Sequence, residues 1–394
     1  MNSKASSKRD SLESLLNSEH TVEIEKMAVG GDGIARIPFQ DKTLVVFVGK
    51  SAPKDQLKIK IVSVEKNFLN GIILEVLKPG ESRRQPPCAY ALQCGGCSWQ
   101  QFNEDEQIRQ KEMLLEELFK KFLPGIPYNL KPTIASPKNL HYRNRIQLKH
   151  QGELLGYFEE KSHTIVDIDS CLIADKRISD EIPDLKRTLK KEAELSKYEL
   201  KIAQDNAFSY NRIGEKGQGL SFAQVNTEMN TLLKEHVAEL AAQSAPKAIS
   251  ELYAGAGNFT FDLAQKLPTT LIEAVELNSD LTTEAIKRIT AMNLQKRLYF
   301  FTADCDTFVS RRSLSSDFIL LDPPRAGCSD TVLQKISATN AKNILYISCH
   351  PVSLARDLQK MNLSKNGYTI QSLQIFDMFP QTDHFETVVM LAKS

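Results

Sequence analysis

From about Gly219 onward the chain alternates short apolar strands with helical stretches, and this alternation restricts the C-terminal half to a doubly wound α/β sheet. Such sheets hold their ligands beyond the carboxyl ends of the strands, so the residues that end each strand are the ones to read. Ala248-Ile249-Ser250-Glu251-Leu252-Tyr253 runs into Ala254-Gly255-Ala256-Gly257-Asn258-Phe259, a turn whose glycines let a ligand approach the backbone where a helix begins near Thr260. A second strand, Leu271 to Val275, ends in Glu276, where a carboxylate can accept from ribose hydroxyls. A third leads to Asp304, and a fourth, Phe318 to Leu321, ends in Asp322-Pro323-Pro324-Arg325. Any one of these acids could merely cap the next helix; the set of them describes a nucleoside-type cofactor pocket.

Two further strand ends carry reactive groups. Asn343-Ile344-Leu345-Tyr346-Ile347-Ser348 delivers Cys349-His350-Pro351, and a thiol placed there is either a small buried hydrophobe or a nucleophile. Glu386 opens the apolar run Thr387 to Met390, where partial desolvation would raise a carboxylate toward values useful to a general base. The turn Ser221-Phe222-Ala223-Gln224-Val225-Asn226 adds an aromatic ring with two amides.

The N-terminal half reads differently. Residues 20 to 80 alternate at period two, as in Leu57-Lys58-Ile59-Lys60-Ile61, with turns at Gly30 to Gly33 and Gly49 to Pro53, which predicts a small β-barrel, of a kind that binds single-stranded nucleic acid or carbohydrate or that serves only for packing. Seven cysteines, an odd number, without an apolar leader argue against a disulfide framework and toward metal or catalytic use. Cys88, Cys94 and Cys97 form C-x5-C-x2-C around a Gly-Gly turn, with Cys171 as the best remaining fourth ligand; zinc and an iron–sulfur cluster both suit such a set. Glu104 to Phe122 predicts an amphipathic helix. His141, Arg143 and Arg145 lie on a strand that interleaves basic and aromatic residues, suited to phosphate contacts and base stacking, although an exposed charged face has the same composition. The formal charge of +1 confines any RNA site to a local patch. No apolar run reaches the ~20 residues of a membrane span, and the Ser, Lys and Glu-rich first eighteen residues read as a loose tail of a cytoplasmic protein.

Together these motifs resemble the S-adenosylmethionine-dependent RNA uracil-5 methyltransferases, specifically the branch with an N-terminal TRAM barrel and an iron–sulfur cluster. The matching stretches are the four cysteines, Phe222-Ala-Gln-Val-Asn226, Leu252-Tyr-Ala-Gly-Ala-Gly-Asn-Phe259, Val275-Glu276, Asp322-Pro-Pro-Arg325, Ser348-Cys-His-Pro351 and His384-Phe-Glu386, in the family's order. The resemblance implies a Rossmann-like class I methyltransferase domain over 216–394, preceded by a disordered tail (1–18), an OB-like TRAM barrel (19–80) and an α+β central domain (81–215) whose helix 104–122 packs on the catalytic domain. It implies Cys349 as nucleophile, Glu386 as base, and Gln224, Tyr253, Asn258, Glu276, Asp304 and Asp322 around S-adenosylmethionine. It also implies Phe222 near the flipped base and Cys88, Cys94, Cys97 and Cys171 on a [4Fe-4S] cluster. The expected substrate is structured RNA, 23S ribosomal RNA in the first place and transfer RNA as the alternative, methylated by a monomer. A non-catalytic RNA-binding factor with the same fold is the reading from another class. His350 stands where many relatives carry Asn, and Cys305 and Cys328 match no functional position.

Overall fold

The computed structural model describes residues 12–203, 206–214 and 224–393, so Phe222 and residues 1–11 of the expected tail lie outside the described residues. The remainder of that tail is not loose: Leu15 is buried in the core of the first sheet. The chain divides into two compact units, one holding residues up to Leu114 with Lys138–Ile213 and Phe379–Asp383, the other holding Leu115–Pro137, Gly214–Met378 and His384–Ser394.

The first unit contains two sheets. Strands β1 (Glu19–Glu23), β2 (Lys26–Met27), β3 (Gly33–Phe39), β4 (Lys42–Val48), β5 (Gln56–Val64) and β6 (Phe68–Lys78) lie in the order β1-β5-β6-β4-β3-β2. The two edge strands are separated only by Ile24 and Glu25, and the N–H groups of these residues donate to Asp55 and Ile34, so one continuous segment serves both edges and the sheet is curled. Period-two side chains such as Leu57, Ile59 and Ile61 fill its interior with Trp99 and Phe102. The second sheet, β11-β10-β7-β8-β9, comprises β7 (Arg145–Gln151), β8 (Leu154–Phe158), β9 (Ile165–Asp167), β10 (Ser196–Ile202) and β11 (Phe208–Arg212). Ile146, Leu148, Tyr198 and Leu200 on one face pack with Ile178, Ile182 and Leu185 of a helix, Lys176–Thr188.

The predicted helix appears as α1 (Glu104–Phe122). Its Leu114 belongs to the core of the first unit, while Leu115 and Phe119 are buried in the core of the second. At about 1.5–3 kcal/mol for each fully buried large apolar side chain, the last two turns are firmly held there.

The second unit is a seven-stranded sheet in the order β14-β13-β12-β15-β16-β18-β17, built from β12 (Ala248–Leu252), β13 (Leu271–Glu276), β14 (Leu298–Thr302), β15 (Phe318–Leu321), β16 (Asn343–Ser348), β17 (Tyr368–Phe376) and β18 (Glu386–Lys393). All neighbours are parallel except β18, which runs antiparallel to both β16 and β17. Strands buried on both faces need uninterrupted apolar runs, and Phe318-Ile319-Leu320-Leu321 is buried throughout. The strand order reverses between β12 and β15, whose last residues Leu252 and Leu321 pair directly, so Tyr253 and Asp322 flank the switch point. Among the described residues no helix is long and apolar enough to cross a membrane.

Candidate active site

Cys349 follows the last paired residue of β16, and the helix behind it, α2 (Pro351–Lys360), fixes where it points. Pro351 occupies the first turn, where its missing N–H costs nothing, and His350 is the N-cap: its Nδ1 accepts from the Ser353 N–H at 3.3 Å. His350, which the sequence left without a role, is therefore a capping residue. The loop Asp322 to Cys328 is tied to the same helix. The Ser353 hydroxyl donates to the Arg325 carbonyl at 2.6 Å, while fully buried Asp357 accepts from the Cys328 N–H and from the Tyr346 hydroxyl, both at 2.7 Å. Residues from β15, β16 and the intervening loop are thereby held in one frame.

Glu386 enters from β18. Ser348 pairs with Thr387 as the last pair of that ladder, so Cys349 and Glu386 each lie next to it, and the Glu386 carboxyl is felt at the Cys349 thiol. Glu386 is buried, at 3% exposure, whereas Cys349 is half-buried and keeps access to solvent. Burial pushes the Cys349 thiol up to about 11, with the Glu386 and Asp322 carboxyls adding to the rise and Arg325 opposing it. Burial also lifts the Glu386 carboxyl well above its usual range, reinforced by Asp322 and again opposed by Arg325. Asp322 itself is pushed up to about 7 by burial. Arg325 favours the charged forms of both Cys349 and Glu386, and its position near them was not legible as more than part of a motif.

The glycine turn after β12 is the second part of the site. Tyr253 adopts φ +65°, a left-handed conformation that costs a non-glycine residue energy and is characteristic of functional turns. Gly257, at φ +85°, lies so close to Phe261 that a Cβ would approach its ring to 2.5 Å. The Glu276 carboxylate accepts from the Gly255 N–H (2.9 Å) and the Asn278 N–H (2.8 Å), which orients it toward the turn and leaves each oxygen a further lone pair. Asn258 exchanges amide hydrogen bonds with Asn230, both 3.0 Å. Gln224 is partly buried ahead of Asn226, which caps helix Thr227–Ser244. Asp304 is exposed and caps Cys305–Arg311 by accepting from the Thr307 N–H. One acid was missed: Glu251, 1% exposed, accepts from the Thr260 hydroxyl at 2.6 Å and is pushed up to about 8 by burial, with Asp322 adding to the rise. Its signal was a carboxylate in a short, mostly apolar strand.

In the first unit Cys88, Cys94, Cys97 and Cys171 line one pocket with Gly96 and Tyr157. Lys50 Nζ donates to the carbonyls of Cys94 (3.1 Å) and Cys97 (2.8 Å), and a Cβ on Gly95 would sit 2.9 Å from the Phe158 carbonyl oxygen, so the cysteine turn requires its glycine. Among the described residues no three His, Cys, Asp or Glu side chains converge as ligands of a single metal ion; the four thiols surround a space. His141 Nδ1 lies 3.0 Å from the Ala174 carbonyl, Arg143 packs over the rings of Tyr142 and Phe379, and Arg145 faces Glu199 at 3.6 Å.

Comparison with known proteins places this arrangement. Residues 197–394 match the family described as tRNA (uracil-5-)-methyltransferase. An uncharacterized RNA methyltransferase of Bdellovibrio bacteriovorus is 40% identical over 396 residues, covering 98% of each chain. Another from Thermosynechococcus vestitus is 27% identical over 444 residues, covering 94% of this chain and 97% of its own. Among solved structures, the tRNA (uracil-54, C5)-methyltransferase of Pyrococcus abyssi in complex with S-adenosyl-L-homocysteine is 22% identical, with a TM-score of 0.72 over 95% of this chain and 100% of its own. The fold is that of an α/β methyltransferase.

Proposed function

This chain belongs to the RNA uracil-5 methyltransferase family, and from that premise we propose that it methylates carbon 5 of a uridine in structured RNA through a covalent bond to Cys349, with Glu386 as the base. The observation that carries the reading is the Cys349 thiol just past the end of β16 beside the buried Glu386 carboxyl that begins β18. Carbon 5 of uracil is a weak nucleophile. A Cys349 thiolate adds to carbon 6, its own proton having gone to solvent, and the ring becomes an enolate whose carbon 5 can attack an electrophilic methyl group. S-adenosylmethionine supplies that methyl on a sulfonium. Glu386 then takes the carbon-5 proton, the C6–S bond breaks, and Cys349 leaves as thiolate. Cysteine suits both halves because thiolate is a strong nucleophile and a good leaving group.

The remaining residues take supporting roles. Tyr253, Asn258, Glu276 and Asp322 bound the donor site, with Gln224 alongside; the Gly255 and Asn278 N–H groups hold Glu276 where it can accept from ribose hydroxyls. Asp304 completes the rim from its capping position. The base must leave its stack to reach Cys349, and Phe222 is assigned to pack near it. His141, Arg143 and Arg145 have donors engaged within the protein, so they shape the RNA side more than they supply free charge.

Cys88, Cys94, Cys97 and Cys171 would hold a [4Fe-4S] cluster. Four cysteines lining one pocket, with no carboxylate among the lining residues, suit an all-thiolate ligand set. The curled six-stranded sheet is assigned as the TRAM barrel, and the barrel with the four-thiol site favours 23S ribosomal RNA. Transfer RNA is the second reading, favoured by the family description. Radiolabelled methyl transfer to ribosomal and transfer RNA, followed by nucleoside analysis, tests the function: 5-methyluridine in one pool is expected, and label in another nucleoside or in neither pool would refute it.

A further inference from the structure

The outer face of the five-stranded sheet holds an electrostatic arrangement that the catalytic reading does not use. β7 pairs with β10 so that Lys149 stands directly opposite Lys197, and Arg145 opposite Lys201. Glu199 relieves the second pair, lying 3.6 Å from Arg145 and 3.8 Å from Lys201. No carboxylate relieves the first pair among the described residues. Facing like charges oppose strand pairing, since directly opposed side chains are roughly 5 Å apart at Cβ. The chain nevertheless keeps them, on a face where Lys197, Gln147 and Gln151 are exposed. Next to them is an aromatic step: Lys149 Nζ sits 5.4 Å from the centre of the Phe158 ring on β8, and Phe158 meets the exposed His163 edge-on at 5.4 Å.

We propose that Lys149 and Lys197, with Phe158 and His163 beside them, form an RNA-docking face that grips a backbone phosphate of an unpaired segment and stacks its base. A phosphate supplies the negative charge that the lysine pair lacks, and rings exposed on a sheet face are how sheet-based modules hold unstacked bases. The occupant is RNA and not an acidic protein because two point charges with adjoining rings match a repeating phosphate and base. The burial and mutual repulsion that already hold Lys149 below the usual lysine range agree with a cation awaiting an anion. This inference rests on the RNA-methylating reading and adds the surface that receives the strand.

The experiment is fluorescence anisotropy of the full-length protein with a labelled uridine-containing RNA hairpin, across a salt series, for the wild type, Lys149→Glu/Lys197→Glu and Lys149→Glu alone, with the thermal midpoint of each. The double variant should bind roughly tenfold or more weakly, and its plot of log affinity against log salt should be shallower by about 2. Lys149→Glu alone should also bind more weakly while melting no lower than the wild type, because it places opposite charges across the strands. Unchanged affinity and slope in the double variant would overturn the proposal, as would losses accompanied by a lowered midpoint in both variants. If the wild type itself failed to bind any RNA, the methyltransferase reading would fail first, which separates the two outcomes.

Discussion

Cys349 stands one residue beyond Ser348, the end of β16, and Glu386 one residue before Thr387 on β18; because Ser348 and Thr387 pair, the thiol and the carboxyl both adjoin the last pair of that ladder. A half-buried thiol and a desolvated carboxyl are thus brought together at the end of a strand ladder. Three expectations follow from this site and one from the four-thiol pocket.

Glu386→Ala leaves Cys349 able to add to carbon 6 but removes the group that takes the carbon-5 proton. Turnover should fall by roughly 10²–10⁴-fold, and denaturing electrophoresis should reveal protein covalently attached to RNA. Loss of turnover with no such adduct would argue that Glu386 acts before methyl transfer.

Cys349 and Glu386 are both shifted upward, and the proposed reaction needs both deprotonated when they act. The thiol, pushed up to about 11, and the Glu386 carboxyl each yield more of the active form as pH rises. Single-turnover methylation should therefore accelerate from neutral to alkaline pH. A rate that peaks in acid would contradict this assignment of protonation states.

Glu251 supplies a prediction about stability. Its carboxyl, 4.5 in the unfolded chain and about 8 when folded, binds its proton more tightly in the native state. The resulting stabilisation is fully present below the unfolded value and is lost as pH rises through the folded one. Glu251→Gln retains the shape without the titration, so its melting temperature should change less than that of the wild type between about pH 5 and 8. Parallel curves for the two proteins would show that Glu251 does not titrate in this range.

Anaerobically purified protein should be brown and carry iron and acid-labile sulfide, and Cys94→Ser should lose both. A colourless protein containing zinc would replace the cluster with a single ion at the same cysteines.

Much of the catalytic unit was legible because strand ends in a parallel sheet are fixed by local apolar runs: Tyr253, Glu276, Asp322 and Cys349 all lie where a run of buried residues stops. What escaped depends on partners distant in the chain. Arg145 read as a free cation because Glu199, its partner, comes from a strand more than fifty residues later. The pairing of Lys149 with Lys197 was hidden for the same reason, since it is set by strand register. His350 was opaque because capping depends on the backbone bend at a helix start, and the division of α1 between two cores at Leu114 and Leu115 follows from packing that no helical periodicity encodes.

The central claim is that Cys349 bonds to the uracil, and the most direct test is mass spectrometry of peptides from a reaction with 5-fluorouridine-substituted RNA, in which fluorine at carbon 5 blocks proton removal. A peptide carrying a methylated fluorouridine on Cys349 is expected, with Cys349→Ala giving no adduct and a loss of turnover exceeding roughly 10⁴-fold on natural RNA. Continued 5-methyluridine formation by Cys349→Ala, or an adduct on another residue, would contradict it.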